Sequence, residues 1–218
     1  MRIFTFLFVV LSFSASAQKK KPFSGKFIYS IQAVDTALRA LLPDKQMVIY
    51  TNDTLLRIEN DTDQFGKQIV IKHLHLNKSY LLLQTPSANY AIQTDHAAPS
   101  PRQVQAPKYS FQKKRFQRKT TRFGYSEKML RVTHEKFKEE LPFYYLPQFS
   151  VGYLNAFENF PGLLTNYYIA TPDGLLSFTL IAMEEMVPSR NLFGIPSDYK
   201  KVTFDEFTKE MFGAEEKK

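Results

Sequence analysis

Apolar and polar residues alternate along residues 25–34, where Phe27, Tyr29 and Ile31 fall on one face and Lys26, Ile28 and Ser30 on the other. A period of two is the signature of a half-buried strand. Residues 34–42 break the alternation: Leu38, Leu41 and Leu42 recur at helical spacing until Pro43 stops them, which predicts one or two helical turns. Residues 47–50 and 54–59 predict a hairpin across Asn52-Asp53, a pair that tolerates the left-handed backbone of tight turns. Strand-like runs follow at 67–76, 79–84 and 89–94. Links this short favour an antiparallel meander, because parallel neighbours would need a crossover between each pair.

The pattern changes at residues 97–107, which carry Pro99, Pro101 and Pro107 and read as an excursion. Alternation resumes over 124–133. Residues 143–168 are dense in aromatics, interrupted by Pro147 and Pro161, with a short helix expected near 152–159. Residues 163–170 and 175–184 predict a second hairpin over Pro172-Asp173-Gly174, with Leu176, Phe178, Leu180 and Ala182 as its more apolar face. Thr203 and Glu206 form a capping-box pattern ahead of a closing amphipathic helix, with Phe204, Phe207 and Met211 along one side.

The first residues carry a different message. Arg2, an apolar run over 3–13 and Ala15-Ser16-Ala17 have the three parts of a cleavable secretory signal peptide, residues 1–17. The run is shorter than the roughly 20 residues a membrane span needs. The expected layout is a basic segment at 18–22, a single domain at 23–213 containing a Pro-bearing basic excursion at 97–122, and a charged tail at 214–218. The expected location is periplasmic or secreted, without a lipid anchor, since the chain has no cysteine. That absence also excludes disulfides, thiolate metal sites and cysteine nucleophiles.

Removal of the leader takes Arg2 and leaves 28 basic residues against 21 acidic ones. Their distribution is uneven, for no acidic residue lies between Asp95 and Glu127. Lys113, Lys114, Arg115, Arg118, Lys119 and Arg122 fall in that interval among Phe111, Phe116 and Phe123. Such a segment reads as a solvated strand or loop, or as a contact for an anionic envelope surface. Nucleic acid, which basic and aromatic residues together can grip, is not the partner expected of an exported protein.

No pattern for chemistry is complete. His73 and His75 share one face of an expected strand but lack a third ligand, and His134-Glu135 lacks the second histidine of a zinc-protease helix. Asp61, Asp63 and Gly66 fit three positions of a calcium loop, yet Phe65 and Lys72 stand where oxygen ligands are required. No serine elbow or glycine-rich phosphate loop occurs, and the adjacent carboxylates Glu139-Glu140 and Glu184-Glu185 do not make an acid–base pair. No cofactor, metal or enzymatic activity is expected.

Several short motifs recur in a characteristic order. These are Gly25-Lys26-Phe27-Ile28-Tyr29-Ser30, Leu42-Pro43 before Met47-Val48-Ile49-Tyr50, Leu55-Leu56-Arg57-Ile58-Glu59, Gly124-Tyr125, Phe160-Pro161-Gly162, and Phe193, Ile195-Pro196 and Tyr199-Lys200-Lys201-Val202 ahead of the final helix. In them the chain resembles the LolA/LolB-like superfamily, secreted bacterial proteins related in fold to the periplasmic carrier of outer-membrane lipoproteins. It departs in having Ser126 after Gly-Tyr and no tryptophan. The resemblance implies a mainly β (α+β) fold: a strongly curved antiparallel sheet, or incomplete barrel, with a few short helices and a C-terminal amphipathic helix. It also implies an apolar groove able to shelter a lipid or acyl chain, with Phe27, Tyr29, Leu56, Ile58, Phe178 and Leu180 as candidate lining. Packing of an ordinary sheet interior explains the same six residues. Two other functions stay open: an interaction module of the envelope with a fully packed core, and an unrecognised hydrolase.

Overall fold

The structure, a computed structural model, describes residues 23–41, 45–52, 54–62, 66–76, 78–94, 109–112, 120–149, 157, 160–172 and 174–213. The expected leader, the basic segment at 18–22, most of the excursion at 97–122, the helix expected near 152–159 apart from Phe157, and the tail lie outside them.

The strands are β1 (Gly25–Ala33), β2 (Lys45–Thr51), β3 (Leu55–Thr62), β4 (Gly66–His73), β5 (Ser79–Gln84), β6 (Asn89–Gln93), β7 (Ser110–Gln112), β8 (Thr120–Arg122), β9 (Tyr125–Thr133), β10 (Leu141–Leu146), β11 (Leu163–Thr171), β12 (Gly174–Glu185) and β13 (Tyr199–Thr203). Helix α1 (Thr36–Leu41) follows β1, and α2 (Phe204–Phe212) follows β13. They form one open, curved sheet, not closed into a barrel, in the order β13-β6-β5-β4-β3-β2-β1-β12-β11-β10-β9-β7, with β8 hydrogen-bonded to β9. Two antiparallel meanders, β1 to β6 and β9 to β12, meet where β1 pairs with β12. The expected mainly β, curved antiparallel architecture with a C-terminal helix is therefore what the chain adopts. The sheet is mixed, however, because β13 adds to the β6 edge in parallel. Five residues with Lys200 and Lys201 at their centre carry little strand signal, and lysines on an edge strand discourage pairing with another chain.

Phe27 and Tyr29 alternate inward on β1 as the pattern requires. The inward face of β12 differs from the expected one. Ile28 pairs with Ala182 but Tyr29 pairs with Leu180, so Ile181 is the extra residue of a β-bulge. A one-residue offset exchanges the faces of a strand. Beyond the bulge Met183, opposite Phe27, takes the inward place expected of Ala182 and packs on the core.

The main core fills the curve of the sheet. Phe27, Tyr29, Phe143, Leu146, Leu163, Leu164 and Leu180 in it are wholly inaccessible to solvent. The far arm of the sheet is covered on both faces. Ile69, Ile71, Leu82 and Ala91 pack under Ile195 and Tyr199, whereas Leu83, Tyr90, Ile92 and Val202 face Phe207 and Met211 of α2. The Thr203–Glu206 capping box starts that helix as expected. Phe204, expected on the packed side, is half-exposed at its first residue.

Candidate functional site

The six residues named for a groove are brought together. Phe27, Tyr29, Leu56, Phe178 and Leu180 are buried in the main core, and half-buried Ile58 packs against it. Rings from β10, β11 and the segment between them cover this floor. Tyr167 stacks on Phe178 with centroids 4.8 Å apart and meets Tyr29 edge-on at 5.7 Å, while Phe157 stands 5.1 Å from Tyr167. The Tyr29 hydroxyl donates to the Leu164 carbonyl at 2.7 Å, and burial pushes its ionisation well above the ordinary tyrosine range.

One polar cluster interrupts these apolar contacts. Glu127 on β9 is 6% exposed and accepts hydrogen bonds from the Thr165 and Thr120 hydroxyls. The Arg122 guanidinium lies 3.9 Å from the same carboxylate and donates to the Leu180 carbonyl beside the β12 bulge. A buried carboxylate and a carbonyl at an irregularity of the ladder both require donors, which accounts for the inward course of Arg122. Of the six cations named for an anionic surface, Arg122 is thus engaged within the fold. Lys113, Lys114, Arg115, Arg118 and Lys119 lie outside the described residues.

Among the described residues, space for a ligand lies at one end of the curve. A cleft of about 450 Å³ is bounded by the start of α1, the turn between β9 and β10, and the β11–β12 hairpin. Val34, Leu38, Phe137, Leu141 and Leu175 give it apolar walls, and Asp35, Lys136, Lys138 and Glu139 line it as well. The Leu38 side chain of α1 lies close over the hairpin turn, where a Cβ on Gly174 would come within 2.9 Å of Leu38 Cδ2. Phe137 is anchored from behind by His134 and Tyr109, with centroids 5.0 and 6.0 Å away. Sequence reasoning did not assemble this cleft, because its walls come from separate elements. The one local signal was Phe137, an apolar residue between two lysines in a turn.

His134, behind that wall, is 8% exposed and accepts the Lys136 N–H at Nδ1. Burial pushes its imidazole below the ordinary histidine range; Glu135 opposes the shift and Lys136 adds to it. As pH falls the unfolded chain takes up this proton before the folded one does. The stability that neutral His134 contributes is therefore complete above the ordinary histidine pKa and lost as pH falls through the lower folded value. Between about pH 7 and 5 the wild-type thermal midpoint should drop further than that of His134→Phe. Parallel curves would contradict this assignment.

Among the described residues no group of three or more His, Cys, Asp or Glu side chains could hold a metal ion. His73 ends β4 and His75 lies beyond it, so the two do not share a strand face. Asp61 and Gly66 flank the β3–β4 hairpin turn, and Asp63 lies outside the described residues. No helix among the described residues is long and apolar enough to cross a membrane. No protein-family model matches the chain, and no curated protein matches it.

Proposed function

We propose that this chain is an exported protein of the bacterial envelope that holds a lipid, acyl chain or similar apolar molecule in a cleft at the end of its curved, incomplete-barrel sheet, in keeping with the apolar-ligand role that its resemblance to the LolA/LolB-like carriers implies. The observation that carries the reading is the cleft at the end of the curved sheet. Its 450 Å³ and apolar walls fall within the roughly 300–1,000 Å³ of small-molecule sites. The cations of the acid-free interval support an approach to anionic membrane surfaces. The role is binding, without a catalytic step. Protein purified from the periplasm should carry co-purifying acyl species by native mass spectrometry and bind a fluorescent fatty-acid probe. Failure of both would remove the reading.

One observation favours a second reading, an interaction module with a solid core. Phe27, Tyr29 and Leu180 are at zero exposure under the aromatic cover, which leaves no open floor between them. In that case the probe would not bind and a partner protein would be the ligand.

A further inference from the structure

We propose that His134 makes ligand binding in the cleft depend on pH: as a neutral imidazole it holds the turn that carries Phe137, and its protonation releases that wall and the ligand with it. This rests on the reading of the cleft as an apolar ligand site.

The turn between β9 and β10 supplies Lys136, Phe137, Lys138 and Glu139 to the lining. Two hydrogen bonds tie it to His134. The Phe137 N–H donates to the His134 carbonyl at 2.9 Å, and the Lys136 N–H donates to Nδ1 at 3.2 Å. The second bond needs a lone pair on Nδ1, which the neutral ring offers and the imidazolium lacks, since both of its nitrogens carry protons. Protonation therefore sets two N–H groups against each other, one residue away from Phe137. The ring itself also supports this wall. Its centroid lies 5.0 Å from that of Phe137 and 4.5 Å from that of Tyr109. The Tyr109 hydroxyl is hydrogen-bonded to the Ala170 backbone, and Ala170 lines the cleft as well. An imidazolium that turns outward to reach water disturbs the lining at both places.

Few other groups bear on this proton. On its own turn Glu135 favours it and Lys136 opposes it, and burial outweighs both in keeping the ring neutral. Tyr109 faces the ring, and burial holds its phenol protonated beyond the ordinary tyrosine range. Strand β7 sets Ser110 opposite Thr133 and brings no charge. A ligand that needs Phe137 in place binds the neutral form and lowers the pKa of His134 further. By reciprocity, acid weakens the ligand. Affinity is complete above the ordinary histidine pKa and falls as pH drops through the lower value of the unliganded protein. One coupled proton supplies up to about tenfold per pH unit below that value.

The test uses N-phenyl-1-naphthylamine, a fluorescent apolar probe that stays uncharged over this range, so the protein alone titrates. Its affinity is measured at about pH 7.5 and about pH 5.5, on either side of the ordinary histidine pKa, at a temperature where circular dichroism shows the same fold at both. The wild-type protein should lose about threefold or more of its affinity at the lower pH. His134→Asn, whose amide oxygen can accept the Lys136 N–H and does not titrate, should bind equally at both. In the wild type the chain has only four histidines, and the NMR titration midpoint of His134 should move to lower pH when the probe saturates the protein. Equal wild-type affinity at the two pH values, an equal loss in His134→Asn, or a His134 midpoint that the probe leaves in place would overturn the inference. No binding at about pH 7.5, or binding there that Leu38→Trp leaves unchanged, would instead remove the reading of the cleft on which it rests.

Discussion

Replacing Gly25 with alanine is expected to destabilise the fold by about 3 kcal/mol or more, at the upper end of what overpacking costs. Gly25 opens β1 and pairs with both Thr51 of β2 and Glu185 of β12, at the seam where the two meanders join. A Cβ at this position would lie 2.0 Å from the Glu184 carbonyl oxygen and 2.7 Å from the Phe23 ring. The first obstacle is backbone and cannot rotate away. Relief would require β1 and β12 to separate where their pairing holds the sheet together. Gly66→Ala provides the contrast, since nothing lies within 4 Å of its Cβ position and only its φ of +61° resists substitution. That change should cost about 1 kcal/mol. Urea midpoints of the two variants measure the difference. A wild-type midpoint for Gly25→Ala would mean that the close approach does not govern this position.

Phe143→Ala should cost about 3–5 kcal/mol, the range for truncating a buried aromatic residue. Phe143 has no exposed surface and lies within 5.6 Å of Phe160, 5.8 Å of Tyr168 and 6.0 Å of Phe157, measured between ring centroids. Its neighbours are held by strand pairing on β11 and by their own ring contacts, so they cannot collapse fully into the space left behind. Phe143→Leu, which retains most of the volume, should lose markedly less. If the two variants unfold at the same denaturant concentration, the aromatic cover is not packed around this ring.

The elements fixed by local chemistry were legible in the sequence. The alternation around Phe27 and Tyr29, the hairpins over Asn52 and over Gly174, and the capping box of Thr203 and Glu206 each depend on residues within a few positions of one another. What escaped depends on distant partners. The bulge at Ile181 moves Met183 inward in place of Ala182 because of the register of β12 on β1, some 150 residues away in sequence. The β13 edge strand owes its place to β6 rather than to its own five residues.

Arg122 illustrates the same limit at the site. In a run of cations it reads as surface charge, yet Glu127, Thr165 and the Leu180 carbonyl form an inward cluster that only the folded sheet creates. The six residues named for a groove meet in the main core, and the rings of Tyr167 and Phe157 cover them there. The cleft was not legible because α1, the β9–β10 turn and the β11–β12 hairpin meet only when the sheet curves.

The central claim, that an apolar chain occupies this cleft, is tested most directly by titrating laurate into protein with labelled valine and leucine methyl groups and recording methyl NMR shifts. The methyls of Val34, Leu38, Leu141 and Leu175 should move together and saturate at one equivalent, while those of buried Leu56 and Leu180 stay close to their starting positions. Four unshifted cleft residues at saturating laurate would contradict the account.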